Sequence, residues 1–212
     1  VFMFGYVFKS KQQYFAIFVF IGITFWDFFN KCLIQSVKLI KANKPIVSKV
    51  YIPKFILILV KIGVNGFKMF ISLLIIVAML AVWRVPITYN VIYIIPILMT
   101  LIVLVFGFSC YLLHYGVFVE DLSNVLNIAL RFLFYLTGIF WSIMDRLPAP
   151  YNSYIGRCNP IAFLLTSARD CVIYGSTPHR KLLLLWFVIG LIISALGVRK
   201  IYKNENSYVK VI

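Results

Sequence analysis

KCLIQSVKLIKANKPIVSKVYIPK, residues 31–54, holds six lysines (Lys31, Lys38, Lys41, Lys44, Lys49 and Lys54) and no acid. The runs on either side, 14–29 and 55–83, are apolar, and a bilayer is crossed by about 20 such residues in a helix. A cationic island between two apolar runs is a water-facing segment between two spans, and short lysine-rich segments stay on the cytoplasmic side. The chain therefore reads as an all-α integral membrane protein, a helical bundle of several spans.

Composition agrees. Of 212 residues, 63% are hydrophobic and only 13% charged, against about 25% charged in a soluble domain. The net charge of +15 does not point to nucleic acid, because the cations are scattered between apolar runs rather than gathered in one patch. They suit loops facing anionic headgroups. The opening VFMFGYVF has neither the basic start nor the small-residue cleavage site of a secretory signal. It is expected to be the tail of a first span, so that residues 1–212 form a single transmembrane domain lacking the start of that span. Cys32, Cys110, Cys158 and Cys171 form no CxxC pair and have no histidine cluster near them, so no metal site is expected. Cys158 and Cys171 share a loop and either pair or stand as ordinary small residues.

Along the chain, 14–29 is the next span, able to continue helically past Lys31. Leu33, Val37 and Ile40 fall on one helical face of the basic stretch, with Lys31, Gln35 and Lys38 on another. That spacing predicts an amphipathic surface helix over 31–44 that Pro45 ends or kinks. Spans follow at 55–83, 91–113, 122–144 and 182–198, with Pro96 predicting a kink inside the second of these. RVPITYN (84–90) is a tight loop. The long loop 145–181 contains IAFLLTSARDCVIYG (161–175), too short and polar to cross, which suits a re-entrant or interfacial helix. With 31–54 inside, the loop 114–121 and the tail also lie inside. That side holds ten lysines and arginines against eight outside, and the dense cluster near span ends decides the orientation.

Two polar edges run into the apolar segments. Lys54, Lys61, Asn65, Lys68 and Ser72 share a helix face. Lys68 lies about 20 Å along a helix from Lys54 at 1.5 Å per residue, and a charge in hydrocarbon costs about 2.5–3.5 kcal/mol. The stripe either lines a watery path or sends its lysines snorkelling to the headgroups. Glu120, Asn124, Asn127 and Arg131 form the second edge. A buried Arg131 needs an acid or carbonyl partner, with Asn127 a candidate, and a helix-packing network is the alternative to a path. Trp26, Trp83 and Trp141 read as interfacial aromatics. His114 and His179 fall on opposite sides of the membrane, and no acid/base set for catalysis is evident.

Four motifs stand in order between these spans: Trp26-Asp27-Phe28-Phe29, Lys49-Val50-Tyr51-Ile52-Pro53-Lys54, Glu120-Asp121-Leu122, and Asn159-Pro160 followed by Arg169-Asp170 and Tyr174-Gly175. Together they resemble the membrane (permease) subunit of type-2 ABC exporters, in the branch that exports O-antigen, capsule and teichoic acid polymers. Lys54 stands where that family usually has Arg, keeping charge but losing the bidentate fork. Glu120 stands in place of an Arg.

The resemblance implies six spans in the full chain, a cytoplasmic coupling helix and outer re-entrant helices. It also implies a second copy of the chain, a separate ATP-binding cassette subunit and a lipid-linked glycan cargo in the bacterial cytoplasmic membrane. Lys38, Lys41, Lys44, Lys49, Tyr51, Pro53, Lys54, Glu120 and Asp121 are then expected at the ATPase-coupling face, and Lys61, Asn65, Lys68 and Arg131 along the translocation path. Asn159, Pro160 and Arg169 belong to the outer loop. ATP and Mg belong to the partner, since this chain lacks the GxxxxGK[ST] phosphate loop. The rival readings are a permease for a drug or small amphiphile, which would suit an apolar cavity, and a membrane-embedded transferase, which needs an acid/base cluster.

Overall fold

A computed structural model describes residues 14–47, 52–142, 151–205 and 207–208. Its helices are α1 (Phe15–Val37), α2 (Leu39–Ala42), α3 (Lys44–Val47), α4 (Lys54–Val82), α5 (Ile94–Phe118), α6 (Leu122–Leu136), α7 (Tyr151–Cys158), α8 (Pro160–Val172) and α9 (Arg180–Lys203). A 3-10 turn, Tyr89–Tyr93, leads into α5. Among the described residues there is no strand. Four helices of the described residues are long and apolar enough to cross a membrane: α1, α4, the 3-10 turn with α5, and α9.

Helix α1 is the centre of the bundle. Its most apolar window is 61% buried, against 22–33% in the other three, and it packs on α4, α5, α6 and α8. The other helices keep one face outward, with Phe67, Val77, Phe132 and Leu184 exposed, as lipid-facing surfaces require. Small residues set the closest approaches. A Cβ on Gly197 would lie 2.7 Å from that of Cys110, and one on Gly107 would lie 2.9 Å from Ile193, so α5 and α9 meet almost backbone to backbone. Ser194 Oγ donates to the Val103 carbonyl at 3.0 Å in the same seam. A Cβ on Gly116 would strike the Val37 backbone, which seats the end of α5 on the end of α1.

Several expectations are corrected. The helix expected over 31–44 is divided. Residues 31–37 prolong the span that begins at Phe15, because Leu33 and Val37 continue its buried face. A break at Lys38 follows, then α2 and α3. Pro45 does not end a helix but sits second in α3, where its missing N–H costs nothing. Pro96 lies not inside the span's helix but in the first turn of α5, just after the 3-10 turn, where the N–H has no helical partner anyway.

The span expected over 122–144 stops at Leu136. Fifteen residues reach about 22 Å, short of the roughly 30 Å hydrocarbon core. Thr137 Oγ1 turns back to the Leu133 carbonyl at 2.6 Å, and Gly138 takes φ 68°, the left-handed conformation that closes helices. The last span extends past 182–198 to α9. The tail is not simply a polar overhang, since Glu205 and Tyr208 are buried.

Candidate functional site

Two polar clefts flank α1. Between α1 and α4 lies a cavity of about 120 Å3 lined by Asp27, Lys31, Asn65, Lys68 and Ser72 with apolar neighbours. Asn65 is 2% exposed and donates to Gln35 Oε1 at 3.0 Å. That bond ties the two helices together below Lys68, which is exposed. Asp27 and Lys31 form an ion pair at 2.7 Å, one turn apart with the acid first, the favourable order on a helix.

A larger cleft of about 590 Å3 lies between α1 and α6, lined by Trp26, Asn30, Ile34, Asn127, Leu130, Arg131, Phe134 and Tyr135. Asn127 does not serve as Arg131's partner. Its amide donates to the Ser123 carbonyl of its own helix at 2.8 Å, and Arg131 is exposed to the cleft. The packing network expected around Arg131 is therefore absent among the described residues. Trp26 is no interfacial residue: with α1 running to Val37 it falls mid-helix, 8% exposed. It packs edge-on against Phe134, centroids 5.5 Å apart.

The lysine stripe divides. Lys54 is 2% exposed and pairs with Glu205 at 3.2 Å, so its ammonium is not an open rung of a polar path. Lys61 is half-buried and outside the lining of both clefts. Asn65 and Lys68 meet Asp27 and Lys31. Asp27 stands in the Trp26-Asp27-Phe28-Phe29 motif, and its i, i+4 spacing to Lys31 is the signal that marks the pair.

On the side where α1 ends and α4 begins, Lys38, Lys41 and Lys44 are exposed. Pro53, with φ −54° and ψ 122°, sets the extended turn directly before α4. Lys49 and Tyr51 lie outside the described residues. Glu120 and Asp121 are exposed in the turn between α5 and α6, on the same end of the bundle, since Gly116 lies against Val37. His114 Nδ1 and the Tyr208 hydroxyl share a hydrogen bond at 2.8 Å. Burial pushes the Tyr208 phenol up to about 12, with Glu205 and Cys110 adding to it, so it keeps its proton at neutral pH.

At the opposite end, Asn159 caps α8, its side chain accepting from the Ile161 and Ala162 amides at 3.1 and 3.2 Å. Pro160 takes the first helical position, where it fits without losing a bond. Arg169 is 3% exposed and donates to the carbonyls of Phe18, Gly138 and Ile139 at 3.1, 2.9 and 2.7 Å. Its guanidinium also lies 3.4 Å from the centre of the Phe18 ring. Burial pulls it down to about 9, partly offset by Tyr174 and Asp170, so it is charged at neutral pH. Among the described residues Arg169 and Asp170 form no ion pair; carbonyls hold the arginine instead. Cys158 and Cys171 are free thiols.

No family model matches the chain. Two proteins of Klebsiella pneumoniae, each named O-antigen export system permease protein RfbA, are 23% and 22% identical to it over all 212 residues, covering 81% of their own length. The chain is similar to export permeases from end to end. The likeness covers α1, both clefts and the α8 segment, and it agrees with the resemblance carried by the four motifs. The relatives are named as permeases, and the helices of this chain are long and apolar enough to suit a membrane transport subunit.

Proposed function

We propose that this chain is the permease subunit of an ATP-driven exporter that moves a lipid-linked polysaccharide or teichoic acid-type polymer across the bacterial cytoplasmic membrane. The observation that carries the reading is the whole-length similarity to O-antigen export permeases. Two copies of the chain form the pathway, and a separate ATP-binding cassette subunit supplies ATP hydrolysis with its own Mg.

The clefts support a charged, extended cargo. Lys68 and Arg131 are exposed cations in helices otherwise built for lipid, and such groups face a polar path or a protein interior. Asn65 positions the first cleft by fixing α4 on α1. In this reading Lys68 and Arg131 attract anionic groups of the cargo, and Lys61 stands half-buried on the approach. Lys38, Lys41, Lys44 and Lys49 with Tyr51, Pro53, Glu120 and Asp121 form the surface that receives the ATP-binding subunit, in the manner of a short helix entering a groove.

Purification of the tagged chain from its native membrane in mild detergent tests the class. A stoichiometric ATP-binding subunit is expected to accompany it, and its gene deletion is expected to strip polysaccharide from the cell surface. A chain that purifies alone without ATPase activity, from cells whose surface polysaccharide survives the deletion, overturns the proposal.

A further inference from the structure

The segment after α9 turns back into the bundle and makes two polar contacts there. Glu205 meets Lys54, the first residue of α4, at 3.2 Å, with their side chains only 10% and 3% exposed. Tyr208, 0% exposed, shares its hydroxyl with His114 of α5 at 2.8 Å and sets its ring 6.1 Å from that of Phe118. A buried ion pair must be held in good geometry to repay its desolvation, and a buried tyrosine hydroxyl needs its partner. Both contacts therefore fix the tail in one place.

Their positions give the contacts meaning. Lys54 follows Pro53 at the end of the basic segment 31–54, and Phe118 precedes the Glu120-Asp121 turn. These are separate stretches of chain, and both belong to the surface assigned above to the ATP-binding subunit. We infer that the tail is a coupling strap: Glu205 and Tyr208 are positioning residues that join the start of α4 to the end of α5. A push delivered at either partner-facing segment then moves α4, α5 and α9 as one body. This inference rests on the proposed function, because it needs a partner that pushes.

The test uses the full complex with its ATP-binding subunit, comparing wild type with Glu205→Gln and Tyr208→Phe. Both variants keep side-chain size, and the second keeps the ring in place. Membrane level of the chain, yield of the complex, ATP turnover and extracellular polysaccharide are each measured. Membrane level, complex yield and ATP turnover are expected to stay near wild type. Polysaccharide exported per ATP is expected to fall about fivefold in each variant, the scale on which contacting residues couple. Exchanging the charges, Lys54→Glu with Glu205→Lys, is expected to restore export above that of Glu205→Gln.

Unchanged export per ATP in both variants overturns the strap. So does a loss of export matched by loss of the chain from the membrane, which marks a purely structural contact. Failure of the wild-type chain to bring an ATP-binding subunit with it overturns the proposed function itself, before any variant is compared.

Discussion

Arg169 Nη2 donates to the carbonyl of Ile139 at 2.7 Å, and Gly22 makes room for that contact. A Cβ on Gly22 would lie 2.6 Å from the same nitrogen and 3.0 Å from the same carbonyl oxygen. One guanidinium thus closes three pieces of chain around α1: its own helix α8, the irregular turn after α6, and the Phe18 turn of α1 itself. Gly138 and Ile139 lie past the end of α6, outside the helical ladder, and a side-chain donor takes their carbonyls instead.

Arg169→Ala leaves three buried carbonyls without their charged donor, and bonds to charged groups contribute about 1.5–3 kcal/mol each. A loss of at least about 3 kcal/mol is expected, read as a marked fall in the melting temperature of the detergent-purified chain. Arg169→Lys should recover little of it, because a single ammonium cannot reproduce the planar fork. A melting temperature unchanged by Arg169→Ala would contradict the clasp.

Gly22→Ala tests the same joint from the other side. The guanidinium is pinned by three hydrogen bonds, so it has little freedom to withdraw from a new methyl group. Overpacking of this kind costs about 1–3 kcal/mol. Thermal unfolding should drop with Gly22→Ala yet change little with Gly63→Ala, where a Cβ meets nothing within 4 Å.

Gly138 has φ 68°, a conformation that costs an L-residue about 1 kcal/mol or more. Gly138→Ala should therefore destabilise the end of α6 by roughly that amount. Faster amide hydrogen exchange at residues 134–140 than in wild type is the expected sign, and unaltered exchange would count against a strained turn.

The two open cations make a functional prediction. Lys68→Ala and Arg131→Ala should each reduce polysaccharide export severalfold, matching about 1 kcal/mol of lost charge interaction, while membrane level stays constant. Lys68→Arg and Arg131→Lys should retain most of the export, since charge rather than fork geometry is what an anionic cargo meets here. Wild-type export in both alanine variants would remove Lys68 and Arg131 from the path.

The apolar helices α1, α4, α5 and α9, the exposed Lys38, Lys41 and Lys44, and a short separate helix within 161–175 were legible in the sequence, because each depends on local hydropathy and length. So were single-helix devices such as the Asn159-Pro160 cap. Composition had no means of showing that Lys54 ends its reach at Glu205, or that the span expected over 122–144 stops at Leu136, just before a glycine whose carbonyl Arg169 takes. The same helical spacing that grouped Lys54 with Asn65 and Lys68 is blind to what lies opposite each residue. Whether a segment prefers lipid or water is a property of its own side chains, and so can be read along the chain. Which cations are neutralised and which face a cleft emerges from the folded bundle, because that depends on helices distant in the chain meeting at one depth.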